Sequence, residues 1–156
     1  MIFEKVFLKK DTLAFIQNEV QKTKNNVETG GVLMGYYTVE DEVVITHCSG
    51  PGPNAIQKRH SILFDSLYCQ EFVDTIYKGT NGQITYLGDW HSHTTESLTP
   101  SKTDRIEMKK ITKNKKSRLP FPLMIITYQD KGLTLINAYG YLKNKIYIID
   151  HFYRII

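Results

Sequence analysis

Residues 89–104 read Asp89-Trp90-His91-Ser92-His93-Thr94-Thr95-Glu96-Ser97-Leu98-Thr99-Pro100-Ser101-Lys102-Thr103-Asp104. The stretch joins the end of a strand, expected over 83–90, to a helix across a polar loop. Thr99-Pro100 opens that helix, because proline suits the first helical position. On an extended segment side chains alternate, so His91 and His93 share one face. Ser101 and Asp104 are three apart and share a helix face that continues through Met108 and Ile111. Met108 and Ile111 are expected to be buried, so Ser101 and Asp104 should point inward. Nothing apolar explains an inward aspartate, whereas a cation does.

Working outward, residues 2–8 read as extended. Asp11 suits an N-cap for a helix to about Lys24, with Leu13, Ile16 and Val20 on one stripe. Asn25-Asn26 reads as a turn and leads to Val27-Glu28-Thr29-Gly30-Gly31. Strands follow over 31–38 and 42–49, joined at Val39-Glu40-Asp41. Ser49-Gly50-Pro51-Gly52-Pro53-Asn54 is almost all turn residues and must be a loop. Residues 61–64 read as extended, and a helix over 66–78 carries Tyr68, Phe72 and Ile76 at spacing four. The last third reads as strands 121–128, 132–141 and 145–150, with hairpin turns at Asp130-Lys131-Gly132 and Lys143-Asn144-Lys145. The order predicts an α+β fold, a largely antiparallel β-sheet with about three helices.

Composition agrees. The chain has 156 residues, 41% hydrophobic and 23% charged. That length fits one domain spanning 1–156, able to bury a core without disulfides. The balance excludes a disordered tail, a collagen-like chain and a coiled coil. No apolar run approaches the roughly 18 residues of a membrane span, and Met1-Ile2-Phe3-Glu4-Lys5 does not begin a secretory signal. Cys48 and Cys69 are too isolated for a disulfide framework or a four-cysteine metal site; we read them as small buried hydrophobes in a reducing cytoplasm. The net charge of +4 is too weak to imply nucleic acid.

Two histidines and a carboxylate make a three-ligand set. Catalytic zinc takes three protein ligands and leaves a fourth position for water, and imidazole favours zinc over magnesium or calcium. Zinc brings the pKa of bound water to about 7. The proton then needs an acceptor that is not itself a ligand, and Glu28, just before Gly30-Gly31, is the candidate. Other zinc patterns do not fit. Barrels carrying His-x-His need about 250 residues. Neither the deaminase pattern nor His-Glu-x-x-His is present.

Glu28, then His91-Ser92-His93, seven residues, Ser101, two residues and Asp104 resembles the JAMM motif of the JAB/MPN metalloprotease family. Glu28-Thr29-Gly30-Gly31-Val32-Leu33-Met34-Gly35 resembles its glutamate motif. Gly50-Pro51-Gly52-Pro53-Asn54-Ala55 and Trp90 look like the prokaryotic branch. Thr94 departs from the proline that many prokaryotic relatives carry there, which bears on loop shape. The resemblance spans roughly residues 10–140. It implies a curved β-sheet flanked by helices, with a cytidine-deaminase-like architecture. It also implies a zinc-dependent peptidase or isopeptidase acting at the C-terminal tail of a ubiquitin-like protein or its conjugate. His91, His93 and Asp104 become the ligands of one Zn2+, Glu28 the general base, and Ser101 a donor to the developing oxyanion. Implied roles include removing a ubiquitin-like tag in conjugation or antiphage systems, or trimming sulfur carriers, alone or with a partner encoded nearby. The alternative is a non-enzymatic scaffold, which predicts a broken ligand set.

Lys109, Lys110, Lys113, Lys115, Lys116 and Arg118 form a basic run. It reads as a solvated helix end, with cations favoured at its C-terminus; the alternative is a docking patch for an acidic partner. Interleaved aromatics are lacking, so nucleic acid is not expected. His47, His60 and His151 read as structural or surface residues. Tyr128, Tyr139, Tyr141, Tyr147 and Tyr153 suit strands. Asp89 fits either a role orienting a histidine ligand or an ordinary strand end.

Overall fold

A computed structural model describes residues 2–24, 26–116 and 119–155. Asn25 of the expected turn and Arg118 of the basic run lie outside the described residues. The elements are β1 (Lys5–Lys9), α1 (Lys10–Lys22), β2 (Gly30–Tyr37), β3 (Glu42–Cys48), β4 (Ile56–Gln57), β5 (Ile62–Leu63), α2 (Ser66–Gly79), β6 (Thr85–Ser92), α3 (Lys102–Lys113), β7 (Leu123–Asp130), β8 (Leu133–Leu142), β9 (Lys145–Ile149) and β10 (His151–Ile155). This is the expected α+β fold: the described residues form three helices on a large, mostly antiparallel curved sheet.

The strand order is β10-β1-β3-β2-β6-β7-β8-β9, with β4 and β5 as a separate ribbon. The two edges, β9 and β10, are separated in sequence only by Asp150. Adjacent residues are 3.8 Å apart at Cα, so the sheet must curl until its edges nearly meet at that corner. The Tyr147 hydroxyl reinforces it by accepting from the Phe3 backbone N–H at 2.8 Å.

The sheet separates two apolar clusters. Leu13 and Ile16 of α1 pack with Leu33, Ile45, Leu87, Trp90, Leu123 and Ile125. Met108 of α3 packs with Met124, Ile126, Tyr139 and Tyr141. Alternation along β7 sends Leu123 and Ile125 to the first cluster and Met124 and Ile126 to the second. Leu87 and Trp90 break period two because the β2–β6 register slips, pairing Leu33 with Gly88 and Met34 with Tyr86. Gly88 takes a positive φ of 143° at this bulge, and a Cβ there would sit 2.0 Å from the Leu123 carbonyl oxygen.

Several local expectations need correction. Lys9, not Asp11, is the N-cap of α1; Asp11 lies within the first turn, and no side chain caps the helix. The helix ends at Lys22, not Lys24. In α2 the fully buried residue is Cys69, with Phe72 and Ile76 half-buried, while Tyr68 is exposed. The strand expected to stop at Trp90 continues through His91 and Ser92. Pro100 precedes the N-cap rather than opening the helix, because Ser101 takes that position. The parallel pairing of β10 with β1 had no local signature. The hairpin turns stand: Lys131, Gly132, Lys143 and Asn144 all take positive φ, as two-residue hairpin loops require. Among the described residues no helix is long and apolar enough to cross a membrane.

Candidate metal centre

His91 sits near the end of β6, opposite Gly30 of β2 and Ile126 of β7. Ile126 belongs to the cluster that Met108 joins from α3, so His91 faces α3. One turn before Met108 on the same helix face is Asp104. Helix packing thus carries this carboxylate to the histidines. The His91 Nε2 lies 3.1 Å from Asp104 Oδ1, and the His93 Nε2 lies 3.2 Å from Asp104 Oδ2. The two Nε2 atoms are 3.1 Å apart. Among the described residues, His91, His93 and Asp104 are a group able to hold a metal ion, with one ligand atom from each all within 4.8 Å of one another.

Supporting hydrogen bonds fix the chemistry of these atoms. His93 Nδ1 is 2.7 Å from the Ser97 carbonyl oxygen. A carbonyl only accepts, so Nδ1 carries the proton and the Nε2 of the neutral ring presents a lone pair to the cluster. Asp104 and Ser101 form a capping box. The Ser101 N–H donates to Asp104 Oδ2 at 2.8 Å, and the Asp104 N–H donates to Ser101 Oγ at 3.0 Å. Burial pushes the Asp104 carboxyl up, but hydrogen bonds from His91, His93 and Ser101 outweigh it and hold the group well below the usual carboxylate range. Burial pushes the His93 imidazolium down, and Asp104 and the Ser97 carbonyl more than reverse this. Two imidazoles, whose Nε2 atoms become lone-pair donors once deprotonated, and a carboxylate held ionised converge at one point, a donor set that fits a divalent cation such as zinc.

Glu28 arrives by strand register. Gly30 pairs with His91, and the Ser92 N–H donates to the Thr29 carbonyl at 2.8 Å. Continued one residue further, this antiparallel ladder sets Glu28 against His93. The Glu28 backbone is clamped by the β4–β5 ribbon: its N–H donates to the Lys58 carbonyl at 2.8 Å, and its carbonyl accepts from Gln57 Nε2 at 3.0 Å. The side chain is buried and makes no hydrogen bond to another described residue. Burial raises its carboxyl above the ordinary glutamate value; His91 and His93 oppose the rise and Asp104 adds to it. The glycines that follow permit the close approach. A Cβ on Gly30 would meet the Trp90 carbonyl oxygen at 2.3 Å, and one on Gly31 the Ser49 carbonyl oxygen at 1.9 Å.

A cleft of about 160 Å³ opens beside the cluster, lined by Glu28, His60, His93, Thr94, Thr95, Ser97 and Ser101. Ser101 is exposed there rather than pointing inward as expected. The N-cap position accounts for this: its oxygen serves the end of the helix while its hydroxyl proton is left for the cleft. His60 lines the same cleft, a placement that its sequence context does not signal. The ribbon turn carrying it is tied across the cleft, with Thr94 Oγ1 donating to the Arg59 carbonyl at 3.0 Å. Asp89 accepts from the Tyr86 hydroxyl at 2.8 Å and makes no hydrogen bond to His91. Burial pushes its carboxyl up to about 6, against the lowering effect of that hydroxyl. Cys48 and Cys69 are free and buried, as read.

The chain is similar to several known proteins. The protein named "Probable metalloprotease y4qB" from Sinorhizobium fredii is 37% identical over 103 residues, 65% of this chain and 63% of its own length. The "CD-NTase/cGAS isopeptidase" of an Escherichia coli strain is 34% identical over 79 residues, 51% of this chain and 50% of its own. The chain therefore spans between half and two thirds of these two relatives. The Pseudomonas aeruginosa protein of the same name is 28% identical over 133 residues, 84% of this chain and 82% of its own. The solution structure of a Desulfitobacterium hafniense protein matches with a TM-score of 0.68 at 15% identity, over 96% of this chain and 92% of that one; at that identity the likeness is one of fold. A family model described as prokaryotic homologs of the JAB domain matches residues 15–138. That span is well over half of the chain and includes all five of the site residues anticipated from sequence, so the chain belongs to the prokaryotic JAB-domain family.

Proposed function

We propose that this protein is a zinc-dependent peptidase or isopeptidase that hydrolyses an amide bond at the C-terminal tail of a ubiquitin-like protein or its conjugate. The observation that carries the reading is the convergence of His91, His93 and Asp104 beside a buried carboxyl, Glu28, that lies in the same cleft outside the ligand group. His91 Nε2, His93 Nε2 and Asp104 would hold the ion. Zinc there would supply polarisation of the scissile carbonyl and acidification of water. Glu28 accepts a proton from the attacking water and delivers it to the leaving amine, a role suited to a carboxyl that burial makes more basic than an ordinary glutamate. The Ser101 hydroxyl donates to the carbonyl oxygen as charge develops. An extended tail gains affinity by adding to a strand edge, and the turn of the β4–β5 ribbon borders the cleft at His60. Relatives named as a metalloprotease and as isopeptidases support the reaction class and a protein substrate.

The test is cleavage of ubiquitin-like tail fusions, followed by mass spectrometry, with the full chain loaded with zinc. Glu28→Gln should lower turnover by about 10²–10⁴ while zinc content stays at one per chain. Turnover that survives both Glu28→Gln and a chelator would overturn the reading.

A further inference from the structure

A second cleft, of about 220 Å³, lies on the outward side of α3 against the β8–β9 hairpin. It is lined by Lys102, Arg105, Ile106 and Lys109 from the helix and Tyr141, Asn144 and Ile146 from the hairpin. The helical residues follow a three-and-four spacing, so three cations and an isoleucine face one groove. Lys102, Arg105 and Lys109 have no ion pair among the described residues, whereas Lys110 on the same helix is paired with Glu107 at 3.2 Å. Among the described residues no carboxylate lines the groove. Its aromatic, Tyr141, is buried and its hydroxyl is bonded to Asn144, so there is no free ring face for a nucleobase. Ile106, 46% exposed, gives the floor an apolar contact. The cations begin where the candidate metal centre ends: Lys102 follows Ser101, and Arg105 follows Asp104.

We infer that this groove holds an acidic segment of the protein substrate, close to the bond that is cut. From Ser101 to Lys109 the helix advances about 12 Å at 1.5 Å per residue. An extended peptide covers that distance in about four residues at 3.3 Å each. Aspartate or glutamate within about four residues of the scissile bond therefore meets Lys102, Arg105 and Lys109 in turn, and an aliphatic side chain among them reaches Ile106. The placement beside the bond rests on the peptidase reading above; the preference for an acidic peptide does not.

Two measurements separate these parts. In the first, fluorescein-labelled hexapeptides, one rich in Asp and Glu, its Asn/Gln counterpart and a Lys counterpart, are titrated into zinc-loaded full chain carrying Glu28→Gln. The acidic peptide should bind about tenfold tighter than the amide peptide at low salt, the sum of a few exposed charge pairs, and lose that margin as salt is added. The double variant Arg105→Glu/Lys109→Glu should abolish the preference and favour the Lys peptide, with Arg105→Gln/Lys109→Gln in between. Equal binding of all three peptides, or an unchanged preference in both double variants, would overturn the inference. So would a single-stranded oligonucleotide that binds through the same residues more tightly than the acidic peptide. In the second, tail fusions with acidic or amide residues flanking the bond are cleaved by the wild-type chain. KM should be about tenfold lower for the acidic flank with kcat unchanged, and the charge-reversed variant should lose the difference. Indifference to the flank would overturn the placement. Failure to cleave any fusion would count against the peptidase reading and leave the binding result to decide the groove.

Discussion

Replacing Ser101 separates two roles that the structure gives it. Its oxygen accepts the Asp104 N–H at 3.0 Å as the N-cap of α3, and its own N–H holds Asp104 Oδ2 at 2.8 Å. Ser101→Ala removes the capping oxygen, at a cost of about 1 kcal/mol. For a chain of this size that lowers Tm by about 2–4 °C. Ser101→Gly costs only a few tenths of that, because glycine is tolerated at an N-cap. Both variants keep the backbone N–H on Asp104, so zinc content should stay at one per chain. Both also remove the hydroxyl that lines the cleft. If that hydroxyl stabilises the developing oxyanion, each lowers kcat by about 10²–10³, and the two rates agree despite different Tm values. The assays are tail-fusion cleavage, thermal unfolding and metal analysis on the same preparations. A Ser101→Gly enzyme with more than half of the wild-type kcat would refute the oxyanion role. Equal Tm values for Ser101→Ala and the wild type would refute the cap.

Other predictions concern the ligands, the glycines and the thiols. His93→Ala and Asp104→Ala should each lose zinc and turnover together, and zinc should raise Tm only in the wild type, since a ligand bound only by the native state stabilises it; stoichiometric zinc in both variants would exclude them as ligands. Gly31→Ala forces a Cβ against the Ser49 backbone at 1.9 Å. It should destabilise by about 1–3 kcal/mol or more, read from urea unfolding by the fluorescence of Trp90, the single tryptophan. Gly79→Ala, with nothing within 4 Å, should be neutral or slightly stabilising; equal effects would undo the close-approach argument. Burial pushes the Cys48 thiol far up and the Cys69 thiol up to about 11, with Ser49 opposing the latter. At pH 8 about one Cys69 in a thousand is thiolate, so a thiol reagent should label the native chain slowly and the unfolded chain at both positions. Rapid native labelling would contradict this burial.

The histidine pair and the Ser101–Asp104 pair were legible because each lies within one element or its immediate end. Period two aligns His91 with His93, and a helical spacing of three aligns Ser101 with Asp104. The direction of Ser101 departs from the expected stripe because stripe logic treats it as an interior helical residue. As the N-cap it has extended backbone, with ψ at 171°, and its side chain turns back onto the helix end. Asp11 shows the same limit: a good capping residue lay near a helix start, but β1 runs directly into α1 at Lys9 and leaves the cap without a side-chain bond.

What the sequence determined by itself is local: the hairpin turns, the helix faces, and donor atoms at spacings that converge on a point. The link from Glu28 to His93 is different. The motif suggested it, but its geometry exists only because β2 pairs with β6 in one register, and a slip of one residue would turn Glu28 to the other face. His60 on the cleft, the basic groove beside α3, and β10 closing against β1 likewise depend on tertiary structure. Short spacings translate directly into geometry because bond lengths and dihedrals limit where neighbours can go. Contacts between distant segments are set by which apolar faces bury against each other across the whole sheet, and no short stretch of sequence contains that information.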